Sequence, residues 1–437
     1  MKLPNSIESE KVVICKLLKK DRIAVETVVD YSEDFFFEDS HKEIFKKVIA
    51  DIHAGVDYDE LSIHLALENN PHYKTSGGHV YLKTLLVDYN YGFQTHFDKV
   101  RDAYFLRSKM MLYAKAQLSI IDNKENLGKQ LEEYEFQMFE LGHKFNAQTS
   151  TLEMAGTTTD TVISRLDELI NSSKKYSGLP TGIQELDELT TGLHGGDSTI
   201  VAARPSVGKS AFAGSVLGHH VTFTPGFVGV FFNLEMPKSQ IVMRLISSIG
   251  YIPLSHIRAG RLSDFEWARF LYAVDALKAS KLYIDDASNL STISMQSRIQ
   301  NILLKEKRID LVVVDYLQLL TSLSTKGTRE QEVAQVSRGI KLAAKSMNIP
   351  IMLLSQLSRA SEKRLDHKPV LSDLRDTGSA EQDHDNVIFL YREELYNATV
   401  ENKNLANIIV SKQRNGALGD ISSIFLKDIT KFVGVKS

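Results

Sequence analysis

The first 147 residues carry a helical rhythm. Ile44, Val48 and Ile52 recur at four-residue steps beside Phe45 and Ile49, the spacing of a helix with one buried face. After Pro4 only Pro71 interrupts this half, so long helices meet few breakers. Two of them are predicted, over 98–121 and 128–145. Along the second, Leu131, Tyr134, Met138, Leu141 and Phe145 alternate three- and four-residue steps, and the polar run from Asp122 to Asn126 turns the chain between the two. Residues 98–145 thus read as a helical hairpin. Its seam suits an internal core and another copy of the chain equally well.

Between 148 and 177 the composition turns polar and Thr-rich. Thr157, Thr158, Thr159 and Asp160 offer N-caps to a helix bearing Val162, Leu166 and Leu169, and Asn171 to Lys175 is polar again. A helix this short cannot bury its apolar face alone, which marks 148–177 as a linker with a docking helix.

From Gly178 the pattern changes to short apolar runs separated by helical stretches: 199–202, 227–232, 311–314, 351–354 and 387–390. Parallel strands covered on both faces read this way. The runs 407–410 and 421–426, flanking Asn415-Gly416, add an antiparallel hairpin. The fold class is therefore an all-α N-terminal domain with a helical hairpin (1–147), a linker helix (148–177) and a C-terminal α/β domain (178–437).

Composition narrows the classes further. The chain has 437 residues, 43% of them hydrophobic, with 52 Lys and Arg against 55 Asp and Glu for a net charge of −3. Disordered and collagen-like chains are excluded, and any nucleic-acid contact must be local rather than a field of the whole molecule. Cys15 is the one cysteine, so an intramolecular disulfide and a cysteine-rich zinc site are both excluded; within Val13-Ile14-Cys15 it reads as a small buried hydrophobe. The N-terminus has no apolar core of signal-peptide length, and no run of about 18 apolar residues appears, which predicts an unanchored cytoplasmic protein.

The densest chemistry follows the first strand of the α/β domain. Ala203-Arg204-Pro205-Ser206-Val207-Gly208-Lys209-Ser210 leaves that strand and opens a helix near Ala211, the context of a P-loop. Backbone N–H groups of Ser206, Val207, Gly208 and Ala211 surround phosphate oxygens there, Lys209 adds positive charge at the β/γ position, and Ser210 offers its hydroxyl to magnesium. Ala203 stands where the general pattern has Gly. Asp315 ends the apolar run 311–314 in a carboxylate, a magnesium candidate and also an ordinary turn initiator. Glu235 follows the strand 227–232 before Met236-Pro237, where it suits activation of water or, equally, a helix N-terminus. Gln356 ends another strand with a neutral donor and acceptor. Lys412 and Arg414 alternate on a strand and face one way, as two cations aimed at one target or as an exposed basic edge. His219-His220 and Asp383-His384-Asp385 lack a convincing ligand set. Trp267, beyond the capping-box sequence Ser263 to Glu266, is expected to pack.

Several ordered motifs now coincide. Gly178-Leu179-Pro180-Thr181-Gly182, Leu186-Asp187, Gly192-Leu193 and Gly195-Gly196-Asp197 precede the P-loop. Asn233-Leu234-Glu235-Met236, Val314-Asp315-Tyr316-Leu317-Gln318, Leu354-Ser355-Gln356-Leu357-Ser358-Arg359, Asp373-Leu374-Arg375-Asp376-Thr377-Gly378-Ser379 and Lys412-Gln413-Arg414-Asn415-Gly416 follow it. Together they resemble the DnaB-type replicative DNA helicases of bacteria and bacteriophages, most densely over 178–432. Asn5 to Glu10, His41 to Phe45 and Gly77 to Leu82 extend the likeness into the helical half, and Ala203 is common in that family's loop.

The resemblance implies a RecA-like P-loop NTPase domain, a homohexameric ring and ATP-driven 5′ to 3′ translocation on single-stranded DNA that unwinds a replication fork. It implies ATP and Mg²⁺ as cofactors, with Lys209 and Ser210 on phosphate and metal, Asp315 on the metal, Glu235 activating water and Gln356 coupling phosphate state to DNA. Lys412 and Arg414 would act as fingers on the neighbouring subunit's γ-phosphate. Arg375, Asp376 and Gly378 would form the main DNA-facing loop, with Arg364 and Lys363 as secondary contacts. Primase and a helicase loader are the implied partners, in the cytoplasm of a bacterium or a phage-infected cell. Two rivals share parts of this pattern: an ATP-gated DNA clamp or scaffold, and a RecA-type recombinase.

Overall fold

A computed structural model describes residues 3–29, 31–86, 91–122, 134, 137–138, 141–142, 155–171, 175–287, 290–315, 329–358, 361–362, 364, 366–377, 380–397 and 403–435. The chain divides into two compact units, Met1–Leu152 and Glu153–Ser437.

The first unit is helical throughout its described residues. Helices Ile7–Leu18, Asp39–Ala54 and Phe93–Asp122 bring Val13, Ile14, Leu17, Ile44, Phe45, Val48 and Phe97 into one core around Phe35 and Phe36. Ile44, Phe45 and Val48 are buried while Ile49 and Ile52 pack at the margin, as the four-residue rhythm requires. The first arm of the predicted hairpin begins at Phe93, five residues before Asp98; most of its second arm lies outside the described residues. A charged group crosses this core. Glu10 accepts hydrogen bonds from the N–H of Phe37 and Glu38 and pairs with His41 at 2.8 Å, and His41 reaches the Tyr81 hydroxyl at 2.8 Å. Glu10 and His41 are fully buried, so these bonds offset the desolvation of both groups.

The second unit is built on a mixed sheet that has nine strands among the described residues. They are β1 (Ser198–Ala203), β2 (Val228–Asn233), β3 (Lys281–Asp285), β4 (Leu311–Asp315), β5 (Ile351–Gln356), β6 (Asn386–Tyr391), β7 (Leu405–Gln413), β8 (Gly419–Leu426) and β9 (Lys431–Gly434), in the order β3-β2-β4-β5-β1-β6-β7-β8-β9. The pairings from β3 to β6 are parallel and the remainder antiparallel. Period-two alternation sends Val201, Phe231, Val313 and Leu354 to one face, under helices Lys209–Phe223 and Lys238–Gly250. Ile200, Val230, Val314 and Leu353 go to the other, under Thr292–Glu306 and Arg329–Met347. Both faces are dry, which is why these strands read as continuous apolar runs.

The hairpin predicted around Asn415-Gly416 is β7–β8. Helix Ala155–Asn171 fills the predicted linker position, with Val162, Leu166 and Ile170 exposed. Strands β3 and β9 were not evident in the sequence. Trp267 departs from its expected role: the Ser263 capping box forms, but the indole is half-exposed and stacks on Phe270 at 5.3 Å.

His384 is fully buried between the Ser198 hydroxyl (2.8 Å) and the Ser337 hydroxyl (2.9 Å), with Asp383, Asp385, Lys341 and Lys412 nearby. Burial pulls its pKa down to about 4. Between that value and about 6.5 the unfolded chain binds a proton that the folded unit refuses, so stability falls as pH drops through this window, by about 3 kcal/mol at its lower end. Urea titrations at pH 7 and pH 5 should show this loss, and His384→Gln should flatten the dependence.

Candidate nucleotide site

The parallel strands end at one edge, and five of them deliver a functional residue there. β1 runs into the P-loop. Ser206 takes a left-handed conformation (φ 66°) and Gly208 another (φ 119°), so successive peptide N–H groups turn inward as an anion-binding nest at the start of helix Lys209–Phe223. Gly208 is required twice over. Its φ disfavours a side chain, and a Cβ would sit 3.1 Å from the Phe432 ring. Val207 is buried and anchors the loop, and Ala211 is buried in the helix's first turn.

β4 ends in Asp315, fully buried. One carboxylate oxygen accepts the Ser210 hydroxyl at 2.5 Å and lies 3.4 Å from the Asn233 amide nitrogen; the other is buried without a hydrogen-bond partner. Burial raises the Asp315 pKa, and the Ser210 bond and the Lys209 charge oppose that rise. Burial likewise lowers the Lys209 pKa against the pull of Asp315 and Glu235. An orphaned carboxylate oxygen beside a serine hydroxyl is an all-oxygen donor set suited to a hard divalent cation.

β2 ends in Asn233, which sequence reasoning overlooked as a functional residue. Its side-chain oxygen accepts from the N–H of Glu235 (3.0 Å) and Met236 (2.7 Å), while Leu234 N–H donates to Asp315 O at 2.8 Å. This Asx turn holds Glu235 exposed beside the P-loop. Gln356 ends β5 in register with Ala203, one strand from the loop.

Arg392, at the end of β6, was also missed. Its side chain is buried, its Nη1 lies 3.3 and 3.5 Å from the carbonyls of Ser206 and Val207, and its guanidinium covers the Phe425 ring at 4.5 Å. By occupying the outward carbonyls it leaves the inward N–H groups for an anion. Arg392→Gln is expected to weaken ATP binding about tenfold, the cost of a charge-assisted bond, in titration with a fluorescent nucleotide. Local sequence held no signal for this contact, because its partners lie 186 and 185 residues away.

Lys412 and Arg414 lie elsewhere. β7 runs antiparallel to β6, pairing Gln413 with Asn386, so both cations sit at the edge where β1 begins. Lys412 donates to the carbonyls of Glu381 (2.5 Å) and His384 (2.7 Å), and half-exposed Arg414 lies 3.4 Å from Asp385. The six residues of β1, about 17 Å, separate them from the P-loop of their own chain.

Of the expected DNA-facing residues, Arg375 and Asp376 lie in the 3-10 helix Leu371–Thr377, whereas Lys363 and Gly378 fall outside the described residues. Arg364 is committed to its own chain: both terminal nitrogens bind buried Asp373, one at 2.9 Å.

A P-loop at the carboxyl edge of parallel strands covered on both faces, with a carboxylate at the end of β4 and one strand, β5, between it and the P-loop strand, defines a RecA-like P-loop ATPase domain, here joined to a helical domain. Residues 178–434 match the DnaB-like helicase C-terminal domain and residues 2–102 the DnaB-like helicase N-terminal domain. The chain belongs to the DnaB-like helicase family, and its function is that of an ATP-dependent replicative DNA helicase. It is 32% identical to the replicative DNA helicase DnaC of Bacillus subtilis over 99% of this chain and 95% of that one. Identity to the replicative DNA helicase DnaB of Buchnera aphidicola subsp. Baizongia pistaciae is 34% over 97% and 93%. A solved DnaB-like replicative helicase, described with its interactions with primase, superposes with a TM-score of 0.75 at 27% identity, covering 98% of this chain and all of that one. No helix among the described residues is long and apolar enough to cross a membrane.

Proposed function

We propose that the chain assembles as a homohexameric ring that hydrolyses ATP between subunits, translocates 5′ to 3′ on single-stranded DNA and unwinds duplex at a replication fork. The observation that carries this reading is the separation of Arg414 and Lys412 from their own P-loop. Cations that cannot reach the phosphate of their own chain are suited to a neighbour's, where they would stabilise charge developing on the γ-phosphate.

Within one subunit, backbone N–H groups from Ser206 to Ala211 and the Lys209 ammonium hold the phosphates. Ser210 and Asp315 would hold Mg²⁺, which when bound neutralises phosphate charge. Glu235, presented by the Asn233 turn, orients and deprotonates the attacking water. Gln356 reports the state of the γ-phosphate to the DNA side, and the loop of Arg375, Asp376 and Gly378 contacts the DNA backbone. Lys363 is a secondary contact. The Asp373 clasp on Arg364 favours a holding role there over direct contact with DNA. Residues 1–147, 148–177 and 178–437 form the helical domain, linker and motor. A primase and a loader are the expected partners, as the primase interactions of the related helicase suggest, in the cytoplasm of a bacterium or a phage-infected cell.

The test is ATP-dependent unwinding of a forked duplex with a free 5′ tail, with particle mass measured in solution. Hexamers that unwind only the 5′-tailed fork support the reading. Rings that bind DNA but never separate it, even with a loader, establish a clamp or scaffold, and open filaments that exchange strands establish a recombinase.

A further inference from the structure

The chain leaving β5 is bonded to the P-loop at one end and to the 3-10 helix Leu371–Thr377 at the other. Arg204, in the P-loop, donates from Nε (2.9 Å) and Nη2 (2.8 Å) to Glu362 and from Nη1 to the Leu357 carbonyl at 2.8 Å. Leu357 in turn donates its N–H to the Ala203 carbonyl at 3.2 Å, so the residue after Gln356 is held to the loop through both of its backbone polar groups. The following N–H, of Ser358, donates to the Asp373 carbonyl at 3.1 Å. Asp373 is clasped by Arg364, which also donates to the Lys368 carbonyl at 2.7 Å, and accepts from Val370 N–H at 2.9 Å. Asp373 is buried, and Arg375 and Asp376 follow it in the same helix.

The Arg204 fork therefore has its ends committed to the segment after β5. Glu362 is 44% exposed at its side chain, so the pair adds little to folding stability. What a planar, multiply bonded guanidinium supplies is fixed geometry between two backbones.

We propose that Arg204 and Glu362 are positioning residues that tie the P-loop to the DNA-facing 3-10 helix, so that a shift of the loop on ATP binding moves the segment carrying Arg375 and Asp376. This rests on the assignment of that segment to DNA. Coupling of this kind is reciprocal: ATP changes DNA affinity by the factor by which DNA changes ATP affinity. Removing the tie abolishes that factor and leaves both sites intact.

The experiment measures, on the full chain, the affinity of an oligo-dT strand with and without a non-hydrolysable ATP analogue, and the affinity of the analogue with and without oligo-dT. Wild type is expected to show a coupling factor of about five or more. Glu362→Gln should bind the analogue alone as wild type does and melt at the same temperature, with its coupling factor near one. Arg204→Gln, which also gives up the Leu357 carbonyl, should lower the factor at least as far, and adding Glu362→Gln to it should lower the factor no further, because the Glu362 contact is already gone. A Glu362→Gln protein that keeps its factor within about twofold of wild type overturns the tie, as does a wild-type factor of one. Arg375→Ala separates the two failures. If it leaves oligo-dT affinity unchanged the DNA assignment fails, and if it weakens that affinity while Glu362→Gln still couples, the tie alone fails.

Discussion

Glu235→Gln should lower ATP hydrolysis about 10²- to 10⁴-fold, the usual worth of a positioned general base, with ATP still bound. The amide keeps the size of the carboxylate and can still orient water, but it cannot take the proton. The Asn233 turn uses the backbone N–H of Glu235 rather than its side chain, so the local fold survives the change. Steady-state phosphate release beside equilibrium binding of a labelled nucleotide checks this. Hydrolysis within about tenfold of wild type would assign the base elsewhere.

Arg414→Ala should reduce hydrolysis further, by about 10³- to 10⁵-fold, the range for removing an arginine finger. Arg414 is half-exposed and meets Asp385 only at 3.4 Å, and Asp385 keeps the Lys341 ammonium at 2.5 Å and the Ser198 N–H at 2.8 Å. The cost to folding is therefore under about 1 kcal/mol. Mass in solution should be unchanged while phosphate release is lost, and a variant that assembles and hydrolyses normally removes Arg414 from the site.

Legibility in the sequence followed burial and sequence distance. β1, β2, β4, β5 and β6 were readable because both faces are covered, leaving runs such as Leu311 to Val314 without a polar residue. β3 is an edge strand whose residues are all at least partly exposed, and β9 has only four residues, so neither forms a recognisable run. Lys209, Ser210, Glu235, Asp315 and Gln356 stood out because a parallel sheet gathers its strand ends at one edge, which lets order along the chain stand for proximity. Arg204 could be read as part of the loop, but its bond to Glu362 spans 158 residues and has no local signature. Lys412 and Arg414 were read as alternating cations. Their distance from their own P-loop depends on β7 running back against β6, a matter of topology rather than of composition.

That reversal of direction has an arithmetic consequence. If each active site borrows its finger from next door, Lys209→Ala and Arg414→Ala spoil different halves of the same junction. Each protein would be inert alone, yet random co-assembly in equal amounts would create about a quarter of junctions with an intact P-loop facing an intact finger. Two dead preparations, dissociated and mixed, would make a partly live one, and the recovered rate would count how many good junctions a ring needs to keep turning.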